Sequence, residues 1–186
     1  MTTRKQPKVS SLLTSISLLI ALTATLTAGG GAATRNYPEP KEGYVNDFAD
    51  VIDAQSRDRL NALCTELDQK THAQVAIVTI ESLRGSPLEH YATSLFNKWG
   101  IGHKDDNRGI PILLALSNHK SRIEIGCGFE ALFPNERAAQ IVADMVPDLN
   151  QRHYSQALLR SARTIATIVA QERGVRLREL DPSSTP

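Results

Sequence analysis

Three separated segments of the sequence carry oxygen-bearing side chains of the kind that bind hard cations. They are VNDFADVI, the loop HKDDNRG and the turn GCGFE. Carboxylate and amide oxygens are the ligands that Ca²⁺ and Mg²⁺ prefer, and no His and Cys spacing typical of softer metals accompanies them. The candidate donors are Asp47, Asp50, Asp105, Asp106, Asn107 and Glu130. We therefore expect a Ca²⁺ or Mg²⁺ site if the fold brings the three segments to one edge of a sheet, beyond the strand ends.

The same residue types also have a purely structural use. Asp, Asn and Gly are the default residues of turns. Asp47 and Asp50 could therefore cap turns before a helix, and Glu130 could be an exposed charge at the rim of the fold. The sequence contains no EF-hand loop with its full ligand spacing. Residue types alone leave both interpretations open.

Common hydrolase motifs are missing from the sequence. A cysteine phosphatase needs an arginine six residues after its cysteine, but positions 70 and 133 hold lysine and phenylalanine. There is also no D-x-D pair, no Arg-His-Gly triplet, no G-x-S-x-G and no HExxH. Any hydrolysis would need bound cations to polarise phosphate and activate water. His103 lies in the second segment and could exchange protons near neutral pH, although a lone loop histidine is more often solvated.

Alternating helices and strands must position these segments. Helical periodicity and capping signals predict helices over about 53–71, 87–99, 135–145 and 155–173, with Pro147 ending the third. The apolar runs QVAIVTI and IPILLAL predict buried strands, and SNHK predicts a hairpin into SRIEIG. This order predicts an α/β fold in which a small mixed sheet is sandwiched between helices, an α/β/α, Rossmann-like arrangement.

Four glycines are expected to shape the turns around the candidate site. Gly100 should stop the second helix, and Gly109 closes the loop HKDDNRG. Gly126 and Gly128 would let the chain turn back so that Glu130 faces the same mouth as the aspartates.

The two cysteines and the aromatic residues have simpler interpretations. Cys64 lies on the inward stripe of the first helix, whereas Cys127 lies in a turn after a strand, so their positions disfavour a disulfide. Tyr91, Phe96 and Trp99 share one helical stripe and are predicted to be core residues rather than a ligand platform.

Bulk composition limits the partners. The 186 residues are 41% hydrophobic and 22% charged, enough for one domain with a core. The 21 Lys and Arg residues nearly balance the 20 Asp and Glu residues, so the net charge of +1 creates no strong field toward polyanions. We therefore expect no nucleic-acid partner.

The chain divides into four predicted parts. Arg4, Lys5 and Lys8 precede an apolar run that begins at Leu12 and ends near Ala28, which is typical of an export signal or an uncleaved anchor. The predicted parts are a signal peptide or N-terminal anchor at 1–33, a linker at 34–43, an α/β domain at 44–174 and a disordered tail at 175–186. This organisation predicts an exported protein of the periplasm or envelope.

Several motifs together resemble the TPM-domain family of exported bacterial proteins and plant thylakoid-lumen proteins. They are VNDFADVID, LFNKWGIG, HKDDNRG and LLALSNHKSRIEIGCGFEALFPNERAAQIV, and the resemblance runs from about Tyr44 to Arg173. It implies an α/β/α sandwich outside the cytoplasm, divalent-cation binding in some members and an acid phosphatase activity in a plant relative. The family's acidic positions match Asp47, Asp106, Asn107, Glu124 and Glu130.

One position departs from that pattern, and it affects the expected function. Arg108 stands where relatives often carry Asp or Asn, so it would repel a cation, pair with a nearby carboxylate or attract phosphate. Because the sequence shows candidate ligands but no nucleophile or general base, we favour a noncatalytic module that binds a divalent cation or assists assembly or repair of a membrane-protein or envelope partner. The alternative is a metal-dependent acid phosphatase acting on phosphomonoesters.

Overall fold

A four-stranded sheet in the order β1-β2-β3-β4 forms the centre of the domain. The computed structural model describes residues 37–41, 43–103 and 105–181. The strands are β1 (Val45–Asp47), β2 (Gln74–Ile80), β3 (Gly109–Ala115) and β4 (Lys120–Ile123). The first three are parallel and β4 pairs antiparallel with β3, which confirms the predicted mixed sheet and hairpin. The signal or anchor predicted for 1–33 lies outside the described residues.

Helices cover both faces of this sheet. They are α1 (Ala54–Thr71), α2 (Leu88–Trp99), α3 (Asn135–Asn150) and α4 (Tyr154–Arg173). α1, α3 and α4 pack on one face and α2 packs on the other. The predicted α/β sandwich is therefore confirmed. In the described part of the chain, none of the helices combines the length and the apolar character that crossing a membrane requires.

Alternation along the two central strands supplies both faces of the core. On β2, Ile77 packs into the cluster under α1 and α4, whereas Val78 packs under α2. On β3, Ile112 and Leu113 divide in the same way. A strand buried on both sides is mostly apolar along its whole length, which explains why QVAIVTI and IPILLAL do not alternate between apolar and polar residues.

The helix ends follow local signals, with one exception. The side chain of Asp53 accepts a hydrogen bond from the Ser56 N–H at 2.8 Å, which confirms it as the cap of α1. The prediction that Pro147 ends α3 is wrong, because the helix continues to Asn150 with Pro147 inside it. Pro147 is exposed, so water can satisfy the carbonyl that loses its partner, while the buried residues Met145 and Asp148 anchor the last turns.

The segment before β1 packs against α2. The indole N–H of Trp99 donates to the Pro38 carbonyl at 2.9 Å, and the rings of Tyr37 and Tyr91 meet edge to face with centroids 5.0 Å apart. Residues 37–41, which belong to the predicted linker, therefore lie against the domain.

The segment after α4 also belongs to the fold. Leu177 is 5% exposed, and the Glu66 carboxylate accepts hydrogen bonds from the N–H groups of Arg178 and Glu179 at 3.0 and 3.1 Å. Burial alone would raise the pKa of Glu66, but these hydrogen bonds and Lys70 outweigh it and lower the pKa to about 2. Residues 175–181, which belong to the predicted disordered tail, thus lie against the domain, and residues 182–186 lie outside the described part.

Candidate cation-binding groove

The strand directions place the three predicted segments at two different edges of the sheet. Asp47 ends β1 opposite Thr79, at the carboxyl end of the parallel strands. HKDDNRG precedes β3 and GCGFE follows the antiparallel β4, so both lie at the amino end, level with Gln74 and Gly109. The two edges lie five residues apart along β2, so the distance between them is about 16 Å. The expected convergence therefore fails for the first segment.

Asp47 has a structural role at the carboxyl edge. It is 6% exposed. Its carboxylate accepts hydrogen bonds from the N–H groups of Val51 and Ile52 at 3.2 and 2.9 Å and from the Thr79 hydroxyl. The Arg57 guanidinium lies 3.5 Å away. These partners use the oxygens that a cation would need, so Asp47 stabilises the turn into α1 instead.

At the amino edge, a groove lies between α2 and the end of β4. Its volume is about 290 Å³. Three of the candidate ligands, Asn107, Glu124 and Glu130, line it together. The amide nitrogen of Asn107 donates to the Cys127 sulfur at 3.4 Å, which orients the amide at the rim. The structure thus brings ligands from the second and third segments to one place.

The two glutamates of the groove differ in how they are neutralised. One oxygen of Glu124 accepts hydrogen bonds from the Arg122 Nε at 2.6 Å and from the Thr93 hydroxyl at 3.2 Å. Arg122 also pairs with Glu89 at 3.2 Å. Glu130 is exposed, and within the described residues its carboxylate has no hydrogen-bond or ion-pair partner. Glu130 is therefore the charged group in the groove that is free to take a ligand.

Asp106 lies beside the groove without lining it. Its carboxylate accepts a hydrogen bond from the Arg108 N–H at 3.2 Å, which closes a short turn. Both Asp105 and Asp106 are exposed, so they add negative charge near this edge. Asp106 fits the turn interpretation, although a small rotation would leave one oxygen for a cation or water.

Arg108 does not face the groove. It is 9% exposed, and its guanidinium stacks over the Phe129 ring, 4.1 Å from the ring centroid. It also pairs with Glu172 on α4 at 3.5 Å. Of the three expectations for Arg108, pairing with a carboxylate is the one that the structure shows.

The glycines of GCGFE are required for space rather than for a left-handed turn. Gly126 has a φ of −65°, which any residue adopts. A Cβ atom there would lie 2.1 Å from the Asn107 carbonyl oxygen, and one on Gly128 would lie 2.2 Å from that of Asp106. The two loops that form the groove are therefore held in direct backbone contact. Gly109 is similarly crowded by Ile101, whereas Gly100 ends α2 with a left-handed φ of 65°.

The two cysteines are both free. Cys64 is buried in the core, where burial, followed by the nearby charge of Asp68, raises the pKa of its thiol to about 12. Cys127 is exposed at the groove.

A second cluster at the amino edge is not apparent in the sequence, because Asp68 and His72 belong to the end of a helix and His103 belongs to a separate loop. Asp68, His72 and His103 lie together there, and His103 Nε2 is 2.9 Å from Asp68 Oδ1. The available signal was the spacing of Asp68 and His72, which are four residues apart near the end of a helix and thus share one face.

Comparison with known proteins gives consistent matches. The family model described as the TPM domain, TPM_phosphatase, matches residues 45–168. A chloroplastic UPF0603 protein of Arabidopsis thaliana is 24% identical over 161 residues, which is 82% of this chain and 56% of the relative. The chain thus spans little more than half the length of that relative.

Three solved structures share the fold. The N-terminal domain of a P. gingivalis protein aligns with a TM-score of 0.66 and 22% identity, over 73% of this chain and 87% of that domain. The N-terminal domain of the Corynebacterium glutamicum protein cg2496 aligns with a TM-score of 0.56 and 14% identity, over 71% of this chain and 83% of that domain. The BA42 protein of Bizionia argentinensis aligns with a TM-score of 0.56 and 12% identity, over 69% of this chain and 92% of that protein.

Proposed function

Because the chain belongs to the TPM domain family, we propose that it is an exported periplasmic or envelope module that binds a divalent cation, Ca²⁺ or Mg²⁺, without catalysing a reaction. The observation that carries this proposal is the groove that Asn107, Glu124 and Glu130 line together. Export is supported by the charged and apolar pattern of residues 1–33.

The groove suits Ca²⁺ better than Mg²⁺. Glu130 supplies an unpaired carboxylate, and Glu124 supplies the oxygen that Arg122 does not hold. Ca²⁺ accepts six to eight oxygens in flexible geometry, whereas Mg²⁺ requires a near-ideal octahedron. Few protein ligands are available, so water must complete the coordination. An open site of this kind also leaves room for an oxygen from a membrane-protein or envelope partner.

A metal-dependent phosphatase is the alternative, and the name of the matching family model, TPM_phosphatase, favours it. In this chain, Arg108 is turned away from the groove, and no arginine of the described residues lines it. The carboxylates Glu124 and Glu130 would repel phosphate unless a cation lay between them. The phosphatase proposal therefore depends on the same cation site.

Calcium titration of the purified exported chain tests the proposal. We expect Ca²⁺ to release or absorb heat in calorimetry and to raise the melting temperature, because a ligand that binds only the folded state stabilises it. Glu130→Gln should weaken Ca²⁺ binding about tenfold or more. The matched control is Glu81→Gln, which removes the same charge from an exposed glutamate after β2, at the opposite edge.

Two results would overturn the proposal. One is the absence of any Ca²⁺ or Mg²⁺ effect at millimolar concentration in the unmodified chain, and the other is equal binding by Glu130→Gln. A phosphomonoester assay with and without chelator distinguishes the metal-dependent phosphatase from the noncatalytic module. Turnover that requires the cation and is lost in Glu130→Gln would favour the enzyme over the noncatalytic module.

A further inference from the structure

We propose that Asp68, His72 and His103 form a separate binding site for Zn²⁺. One ligand atom from each residue lies within 4.8 Å of the other two. None of these residues lines the groove described above. Two imidazoles and a carboxylate are a donor set for Zn²⁺ and similar transition metals, whereas Ca²⁺ prefers oxygen alone.

The end of α1 supplies two of the ligands. Asp68 and His72 are four residues apart, which brings them to the same side of the helix. His72 ends α1 in the left-handed conformation, with φ 56°, and its N–H donates to the Asp68 carbonyl at 2.8 Å. This cap fixes the backbone of both residues relative to each other.

The loop between α2 and β3 supplies the third ligand. The Gly102 N–H donates to the Gln74 side chain at 2.5 Å, and the Asn107 N–H donates to the His103 carbonyl at 2.8 Å. These bonds hold His103 against the end of α1. Its ring meets the His72 ring edge to face, with centroids 5.8 Å apart.

The distances are close to those of a zinc site. Zn–N and Zn–O bonds of about 2.1 Å in a tetrahedron place neighbouring ligand atoms about 3.4 Å apart. His103 Nε2 and Asp68 Oδ1 are already 2.9 Å apart. The widest pair lies at most 4.8 Å apart, and we expect rotation of the exposed His72 side chain to close this gap.

The surroundings of Asp68 favour a metal over a simple ion pair. The Tyr44 hydroxyl donates to Asp68 Oδ2 at 2.7 Å, which orients the carboxylate and leaves Oδ1 directed at the histidines. Metal ligands commonly have such a supporting hydrogen bond. The exposed carboxylates of Asp105 and Asp106 lie in the same loop as His103 and add negative charge near the cluster, which favours a bound cation.

Three protein ligands leave one tetrahedral position for water. The His103 side chain is 43% exposed and that of Asp68 is 14% exposed, so water reaches the cluster from the side of His103. This arrangement is an open site, in contrast to the closed four-ligand sites of structural zinc.

The test uses the full purified chain, stripped of metal and titrated with Zn²⁺ against a chromophoric chelator. We expect one Zn²⁺ per chain. His103→Gln and His72→Asn should each bind Zn²⁺ at least about tenfold more weakly than the unmodified chain. Asparagine is chosen at position 72 because it tolerates a left-handed backbone. The matched control, His90→Gln, removes an exposed histidine of α2 and should bind Zn²⁺ normally. Glu130→Gln should also bind normally, which separates this site from the groove.

A second measurement avoids any dependence on the folding of the variants. In nitrogen NMR spectra of the unmodified chain, Zn²⁺ should shift the imidazole nitrogens of His72 and His103 and leave those of His90, His119 and His153 unchanged. The proposal is overturned if the chain takes up no Zn²⁺, if both cluster variants bind as well as the unmodified chain, or if other histidines shift instead.

Discussion

At the carboxyl end of β1, the Asp47 carboxylate receives hydrogen bonds from two backbone N–H groups and from the Thr79 hydroxyl. At the opposite edge of the same sheet, the exposed Glu130 carboxylate has no such partner among the described residues. Asp47 is the last residue of one strand and Glu130 lies in the turn after another, and both belong to the pattern expected for a cation site. The difference lies in what the neighbouring backbone offers them.

This contrast separates structural from ligand-binding carboxylates. A buried carboxylate with several donors contributes to stability, and removing it leaves those donors unsatisfied. An exposed carboxylate without donors contributes little to stability and keeps its oxygens for a ligand. The two edges should therefore respond differently to the same chemical change, the replacement of one carboxylate oxygen by an amide nitrogen.

The largest effect is expected for Asp47→Asn, which should lower the free energy of unfolding by about 3 kcal/mol. The new amide nitrogen would face the N–H of Val51 or Ile52, which are donors themselves. Urea denaturation measures the loss. Asp50→Asn is the matched control, because Asp50 is exposed and its φ of 53° suits asparagine, so the change should stay within about 0.5 kcal/mol. Similar losses in both variants would contradict the contrast.

A second buried carboxylate extends the comparison and adds a pH dependence. Glu66→Gln should lower the free energy of unfolding by about 2 kcal/mol near neutral pH, because Glu66 holds the N–H groups of Arg178 and Glu179. Folding lowers the pKa of Glu66 from 4.5 to about 2. Its contribution is therefore complete above pH 4.5 and is lost as the pH falls toward 2.

Urea denaturation of the unmodified chain and of Glu66→Gln, repeated across this pH range, tests the pH dependence. The difference in unfolding free energy between the unmodified chain and Glu66→Gln should shrink as the pH falls from 4.5 to 2. Glu39→Gln, at an exposed ion pair with Lys98, should differ little from the unmodified chain at any pH. A Glu66→Gln difference that stays constant down to pH 2 would refute the assigned role of the carboxylate.

The smallest effect is expected for Glu130→Gln in metal-free buffer, where the free energy of unfolding should change by no more than about 0.5 kcal/mol. Glu130 is exposed, and no described residue hydrogen-bonds to its carboxylate. The same urea denaturation, run in chelator, measures this. A loss as large as that of Asp47→Asn would show that Glu130 is a structural residue and remove the contrast between the edges.

Most of the fold could be predicted because its signals are local. The apolar runs of β2 and β3, the cap at Asp53 and the stop at Gly100 each act within a few residues. β1 was not predicted as a strand, because three residues are too few to show an alternation. The end of α3 was also misplaced, because the effect of Pro147 depends on its exposure, which the sequence does not state.

The candidate site was predicted only in part, for a related reason. Asn107 and Glu130 share a groove because β4 runs antiparallel to β3, which the hairpin signal implied. Placing Asp47 required the direction of the unpredicted strand β1. The cluster of His72 and His103 required knowing that the loop before β3 passes the end of α1, which is a tertiary contact without a local signal.

The different burial of the two thiols makes the groove directly addressable. Cys64 is shielded in the core and its thiol holds its proton, whereas Cys127 is open to solvent beside Asn107. A maleimide dye would therefore attach at Cys127 and not at Cys64. Its fluorescence would report events at the mouth of the groove in the natural sequence, without an engineered labelling position.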